Sequence, residues 1–215
     1  MNRNVRNIAL VLFLAADAAA MTVLLRDPDP GYRLSTWLAF GRHNRFNEAI
    51  ATAAGRERLD PAVVKSIVWR ASSFSPQKLG PSHERGLMQL GEGIGMDWAA
   101  ATHAPTFMQA DLFNPDTCLR AGCWYLRRIL DRWQDRDDPL PFALAEYASG
   151  HDAVSAWAGP SGTAEDFMKA INDAPTRSFV NDVIRRRDYY LAKQGPQLAD
   201  EKEVKFPIAE SKTSP

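Results

Sequence analysis

Cysteine is scarce in this chain: Cys118 and Cys123 are the two among 215 residues. Two are too few for a disulfide framework, and their separation matches none of the close-pair spacings of zinc sites. On one helix they would point to different faces and lie too far apart to bridge easily. Both are expected to be small buried apolar residues. An excess of charge is equally absent, since 26 lysines and arginines balance 26 aspartates and glutamates. That removes the basic footprint of a nucleic-acid binder, so no nucleic-acid partner is expected. No run of alternating apolar and polar residues is long enough for a sheet, which leaves an all-α class. Repeats and low-complexity blocks are missing. His83, His103 and His151 fit neither a catalytic triad nor metal-ligand spacing. Each is expected as a surface or groove residue, with no metal and no cofactor.

What is present begins with an export signal. Arg3 and Arg6 precede an apolar run from Ile8 to Leu25 that only Asp17 and Thr22 interrupt. A basic start before an apolar stretch directs a chain out of the cytoplasm, which places this one in a periplasm. The run just reaches the about 18–20 residues that a spanning helix needs. Asp17 in mid-span costs about 2.5–3.5 kcal/mol on insertion scales, and Ala18 and Ala20 are residues a signal peptidase accepts. Residues 1–26 are therefore a cleaved signal peptide or a retained signal anchor. In the second case the inner membrane holds the protein through residues 8–25. Residues 27–44 read as a linker, 45–194 as one folded domain and 195–215 as a disordered polar tail. A monomer is expected.

Within the domain almost every segment has helical periodicity. Phe46, Ile50 and Ala53 share one face. Asp60-Pro61 is an N-cap followed by proline at the first helical position, and Val63, Val64, Ile67 and Val68 then form an apolar stripe. Asn114-Pro115 opens a longer helix with Leu119, Gly122, Tyr125, Leu126 and Ile129 inward. Further helices are predicted over 141–147 and 176–191. Gly86, Gly91, Gly93, Gly95 and Gly150 are assigned to loops.

Four motif segments stand in order through these helices. Asp60-Pro61 leads through Trp69-Arg70 into Ala71-Ser72-Ser73-Phe74-Ser75-Pro76. Ser82-His83-Glu84-Arg85-Gly86-Leu87-Met88-Gln89-Leu90 follows. Asn114-Pro115 leads through Gly122 to Tyr125-Leu126. Ala143 to Gly150 contains Glu146-Tyr147-Ala148-Ser149, with Thr176-Arg177 and Phe179-Val180 downstream. In this order, behind an export signal, the series resembles the soluble lytic transglycosylase family, goose-type-lysozyme-like muramidases of the bacterial cell wall. The likeness spans roughly residues 45–192.

The resemblance implies a lysozyme-like fold and a peptidoglycan glycan strand as ligand. Family members cut the β-1,4 bond between N-acetylmuramic acid and N-acetylglucosamine, closing a 1,6-anhydro ring on the muramic acid. One glutamate protonates the departing oxygen, and its carboxylate then takes the proton of the attacking C6 hydroxyl. Such an acid must stay protonated at neutral pH, which an apolar pocket achieves by disfavouring the charged form. Glycosidases generally use two carboxylates; here the acetamido group of the substrate stands in for the second.

The family places that glutamate immediately before the serine of a Glu-Ser-x-Phe motif. In this sequence the position is Ala71. General acid–base help is worth about 10²–10⁴-fold, so the chain is expected to be close to inactive. By the same resemblance Ser72 hydrogen-bonds near the acid position, Met88 and Gln89 line the cleft and bind sugar, and Tyr147 faces the acid. Glu84 stands where an acidic residue is common, and is expected to order its loop by capping nearby amides. Ser72, Met88, Gln89, Tyr147 and Glu84 are the candidate substrate-binding residues. Phe74 reads as core, and Glu146 as a residue on a helical face shared with solvent. Trp98, Trp124, Trp133 and Trp157 read as core at helical spacing, with sugar stacking as the alternative. The family usually has asparagine at the position of Ala148, tyrosine at that of Phe179, and often asparagine at that of Cys118. Two explanations of Ala71 stay open: an altered enzyme, or a natural protein that binds peptidoglycan without cutting it. A lysozyme-type muramidase is a further alternative.

Overall fold

A computed structural model describes residues 42–159 and 162–199. The expected signal segment, most of the linker and the tail beyond residue 199 lie outside the described residues. The described chain forms the helices α1 (Asn47–Arg56), α2 (Pro61–Ser72), α3 (Glu92–Ala101), α4 (Pro115–Arg132), α5 (Pro139–Ser149), α6 (His151–Ala158), α7 (Ala164–Ala170) and α8 (Ala174–Ala199). Short 3-10 turns cover Arg42–Asn44 and Gln109–Phe113. Isolated antiparallel bridges join Leu79 to Arg85 and Arg85 to Leu90, and no strand occurs among the described residues. The all-α expectation is met.

Helix starts follow from cap chemistry. Asp60 Oδ1 accepts the Ala62 N–H at 2.8 Å, and Pro61 fills the first position, where an N–H would have no helical partner. Asn114 repeats this for α4, accepting from Asp116 at 2.9 Å and Thr117 at 3.3 Å. α2 is buried from Ala62 to Val68. Four of those residues are β-branched and intrinsically poor helix formers, so packing rather than propensity holds α2 in shape. α8 packs along it most extensively and also reaches α5; α1 touches both α2 and α4, and α4 carries α3 and α5. Phe46, Ile50 and Ala53 of the α1 segment are buried as their spacing predicts.

Three boundaries differ from expectation. Gly93 and Gly95 lie inside α3 rather than in a loop, and a Cβ on Gly95 would come within 2.8 Å of the Phe107 ring. α8 continues to Ala199, past the expected domain end, since extending a docked helix needs no new nucleation. His43, assigned to the linker, is buried with its ring 5.0 Å from that of Phe74, so the folded unit starts before residue 45. Trp98 and Trp133 are buried, while Trp124 and Trp157 are half-buried. Cys118 and Cys123 are free, buried thiols on α4, and burial pushes them up to about 11 and about 12. No helix among the described residues is long and apolar enough to cross a membrane.

The core also contains a cation. Lys65 of α2 is buried; its ammonium donates to Asn44 Oδ1 at 3.2 Å and lies 4.6 Å from the Tyr190 ring centroid. Desolvation lowers it from 10.5 to about 8. Between these values the unfolded chain holds the extra proton, so this contribution to stability grows as pH rises through the window and is lost below it. The thiols act oppositely at alkaline pH, because their burial favours the protonated folded state. A comparison with Lys65→Met cancels the thiol contribution. Urea unfolding from pH 7 to 10.5 should show the parent gaining on Lys65→Met steadily above about pH 8. A pH-independent difference would mean that the lysine is not shifted.

Candidate active site

The last turn of α2 carries Ala71, half-buried, and Ser72, 3% exposed. The helix closes through Ser73, whose N–H donates to Trp69 O at 2.9 Å with φ at 51°, and Phe74 follows at φ 60°. A left-handed conformation costs a non-glycine residue about 1–2 kcal/mol. Burial of the Phe74 ring, 1% exposed, returns about 1.5–3 kcal/mol and offsets it. The apolar anchor therefore fixes the sharp exit from α2. Phe74 is core, as expected.

The chain then returns as a compact loop over residues 78–90. Gly86 N–H donates to Lys78 O at 3.0 Å, while Arg85 and Leu90 exchange backbone bonds of 2.9 and 3.0 Å. Gly86 has φ 78°, and a Cβ there would stand 2.0 Å from Leu112 O, so glycine is required on both counts. Met88 is fully buried and fits against α4 where Gly122 leaves room; a Cβ on Gly122 would meet its Sδ at 2.3 Å. Cys118 fastens the same loop. Its Sγ accepts the Met88 N–H at 3.4 Å and donates to Arg85 O at 3.7 Å. An asparagine offers both an acceptor and a donor; the protonated thiol supplies weaker versions of each. The departure at Cys118 thus keeps the pattern of the loop's attachment.

From α5, Tyr147 donates its hydroxyl to Met88 O at 2.7 Å. Its ring is half-buried and stacks parallel to Phe179 of α8, 6.2 Å between centroids and 2° between planes. Burial keeps the phenol protonated, well above its usual value. The Arg70 guanidinium lies 5.9 Å from the Phe179 ring and pairs with Asp182 at 2.9 Å. The end of α2, the 78–90 loop, α4, α5 and α8 are thereby tied together around residue 71.

The expected site residues divide into two sets. Gln89, Glu84, Tyr147 and Ala71 keep partial exposure. Gln89 spends amide hydrogens on Lys78 O at 2.9 Å and Gly86 O at 3.0 Å, and Glu84 Oε2 caps the Ser82 N–H at 3.0 Å. Ser72 and Met88, expected to meet sugar, lie in the packed interior. Ser72 Oγ bonds back to Val68 O at 3.1 Å within its helix, and the Met88 side chain faces Gly122. Both are wall-building residues. Their motif spacing gave no indication of which side of the wall they occupy.

Glu146 also departs from expectation. It is 1% exposed instead of sharing a face with solvent, and its carboxylate pairs with Arg132, accepts Trp133 Nε1–H at 2.7 Å and meets His151 Nδ1 at 3.1 Å. A carboxylate so engaged is a structural anion, not a spare acid. Its three partners come from the end of α4, the residue after it and the start of α6, segments that no local spacing connects. His83 and His103 are exposed, as is His151. Among the described residues no cluster of three His, Cys, Asp or Glu side chains is arranged to hold a metal ion.

A family model described as the transglycosylase SLT domain matches residues 48–169, more than half of the chain. The chain belongs to the transglycosylase SLT domain family. A curated relative, membrane-bound lytic murein transglycosylase F of Desulfosudis oleivorans, is 28% identical over 158 residues, which cover 70% of this chain and 31% of that protein. The chain thus spans about a third of that relative's length. Among solved structures, an inactive mutant of the lytic transglycosylase Slt from Pseudomonas aeruginosa has a TM-score of 0.65 at 21% identity, covering 70% of this chain and 24% of that one. The 70-kDa soluble lytic transglycosylase of Escherichia coli gives 0.63 at 23% identity, covering 71% and 25%, and a complex of a 70-kDa soluble lytic transglycosylase with bulgecin A gives 0.62 at 21%, covering 70% and 25%. These likenesses establish the lysozyme-like lytic transglycosylase fold for the SLT domain.

The loop seat in this SLT domain can be tested by a double-mutant cycle. Gly122→Ala gains up to about 1 kcal/mol of helix propensity but forces a methyl into Met88, at about 1–3 kcal/mol. Overpacking wins, and Gly122→Ala should destabilise the protein by about 1–2 kcal/mol. In a Met88→Ala background the same change should turn neutral or stabilising, measured by urea unfolding. Additive effects would show that the two residues do not meet.

Proposed function

We propose that this SLT domain grips peptidoglycan glycan strands outside the cytoplasm and, with alanine at position 71, does not cut them. The observation that carries this reading is Ala71 itself: it is half-buried on the last turn of α2, and the frame around it is intact. Alanine has no proton to deliver to a leaving oxygen. Glu146 is committed to Arg132 and Trp133, and Glu84 to its own loop, so neither replaces it. The chemistry that a glutamate at 71 would perform is transglycosylation, cleaving the N-acetylmuramic acid to N-acetylglucosamine bond with 1,6-anhydro ring closure. A murein ligand is supported by the SLT family match and by the name of the curated relative.

Gln89, Glu84 and Tyr147 are partly exposed polar residues of the motif segments, and we assign strand contact to them. The protein works as a monomer without cofactor or metal. The apolar run from Ile8 to Leu25 exports it and, if retained, anchors it in the inner membrane.

The full chain mixed with purified sacculi should sediment with them and release no anhydro-muropeptides above the protein-free control. Loss of the acid alone accounts for about 10²–10⁴-fold or more in rate. Failure to cosediment would refute strand binding, and soluble anhydro products would refute the inactive state. Products heavier by one water would instead mark a lysozyme-type hydrolase.

A further inference from the structure

Lys78 lies outside the motif residues yet returns to the motif position. Its ammonium donates a hydrogen bond to the carbonyl of Ala71. The backbone of Lys78 is held in place for this, because its own carbonyl accepts from Gly86 N at 3.0 Å and from Gln89 Nε2 at 2.9 Å. The cation sits at the C-terminal turn of α2, where unsatisfied carbonyls and the negative end of the helix favour it. Capping alone would be unremarked elsewhere. Here it puts a positive charge on the residue whose side chain decides the chemistry.

A carboxyl at position 71 would hang from the same Cα whose carbonyl this ammonium touches, and a nearby opposite charge favours the ionised form. A general acid for glycan cleavage needs the reverse, a carboxyl still protonated at neutral pH. Arg85 of the same loop donates to His83 O at 2.9 Å. Arg70 pairs with Asp182 of α8, Arg186 of α8 lies 4.1 Å from the Trp69 ring, and Lys65 faces Asn44 and Tyr190. Glu84 caps Ser82, Tyr147 of α5 stays neutral, and Glu48 and Arg56 of α1 are exposed.

We propose that Lys78 makes position 71 unfit for acid catalysis independently of the alanine, so that two residues, not one, set this site for holding a glycan strand rather than cutting it. The functional meaning rests on the peptidoglycan-binding reading above; the electrostatic claim does not. It follows that putting the acid back restores only part of the activity while the lysine remains.

The test uses the full chain in detergent with Ala71→Glu alone, and combined with Lys78→Gln or with Lys78→Arg. Lys78 is exposed, so neither exchange disturbs the core. The introduced carboxyl is followed by carbon NMR through a pH titration. Its midpoint should lie about one unit lower with lysine or arginine at 78 than with glutamine, and the gap should narrow as salt is raised. A one-unit gap keeps about ten times more of the acid protonated at pH 7 in the Gln double variant. That variant should then release about ten times more anhydro-muropeptide from sacculi than Ala71→Glu alone. Coincident midpoints for all three proteins overturn the proposal. The titration needs no glycan, so this failure is separable from a failure to cosediment with sacculi.

Discussion

The arrangement around residue 71 depends on one fit, the Met88 side chain seated against α4 where Gly122 has none. That contact fixes the depth of the 78–90 loop, and Cys118 and Tyr147 then hold its backbone from two sides, through the Met88 N–H and the Met88 carbonyl. Once the loop is set, Gln89 can clasp Lys78 O, and the lysine side chain is delivered to the end of α2. A packing interaction therefore places both the polar groups of the loop and the Lys78 ammonium beside the end of α2. The rigidity belongs to the frame, and the chemistry hangs from its edge.

This separation makes the shape of the site independent of the side chain at residue 71. None of the contacts that seat the loop uses the side chain of residue 71. The strained exit from α2 at Ser73 and Phe74 is held by burial of the Phe74 ring, and the α5 side is held by the Tyr147 hydroxyl. The buried Glu146 stabilises a different junction, where the end of α4 meets α6, and its partners leave it no part in proton transfer. Phe179 shows the same economy: stacked on Tyr147 and covered by Arg70, it contributes a flat apolar face and no hydrogen bond of its own.

Sequence reading reached the fold because its strongest signals are local. Asp60-Pro61 and Asn114-Pro115 start helices by capping chemistry that needs no tertiary partner, and the Val63 to Val68 stripe identifies a buried face by spacing alone. It missed α3 because Gly93 and Gly95 argue against a helix until Phe107 is seen packed on Gly95. It placed Ser72 and Met88 on the ligand side because a motif names positions without saying which side of a wall they face. Glu146 misled for a related reason, since Arg132, Trp133 and His151 gather around it only in three dimensions. Lys78 left no trace in the sequence at all. A lysine in a loop is unremarkable until its ammonium is found on the Ala71 carbonyl.

The proposed function requires that a glycan strand be held by the surface between residue 71, Gln89 and Tyr147. Amide chemical-shift mapping of the labelled protein with a soluble, uncrosslinked glycan chain tests it most directly. Perturbations should concentrate at residues 71–78, 84–90 and 147–148, and saturate together. Shifts confined instead to the polar cavity of about 750 Å³ bounded by Arg132, Arg136, Asp137 and Asp166, or no shifts at all, would contradict the account.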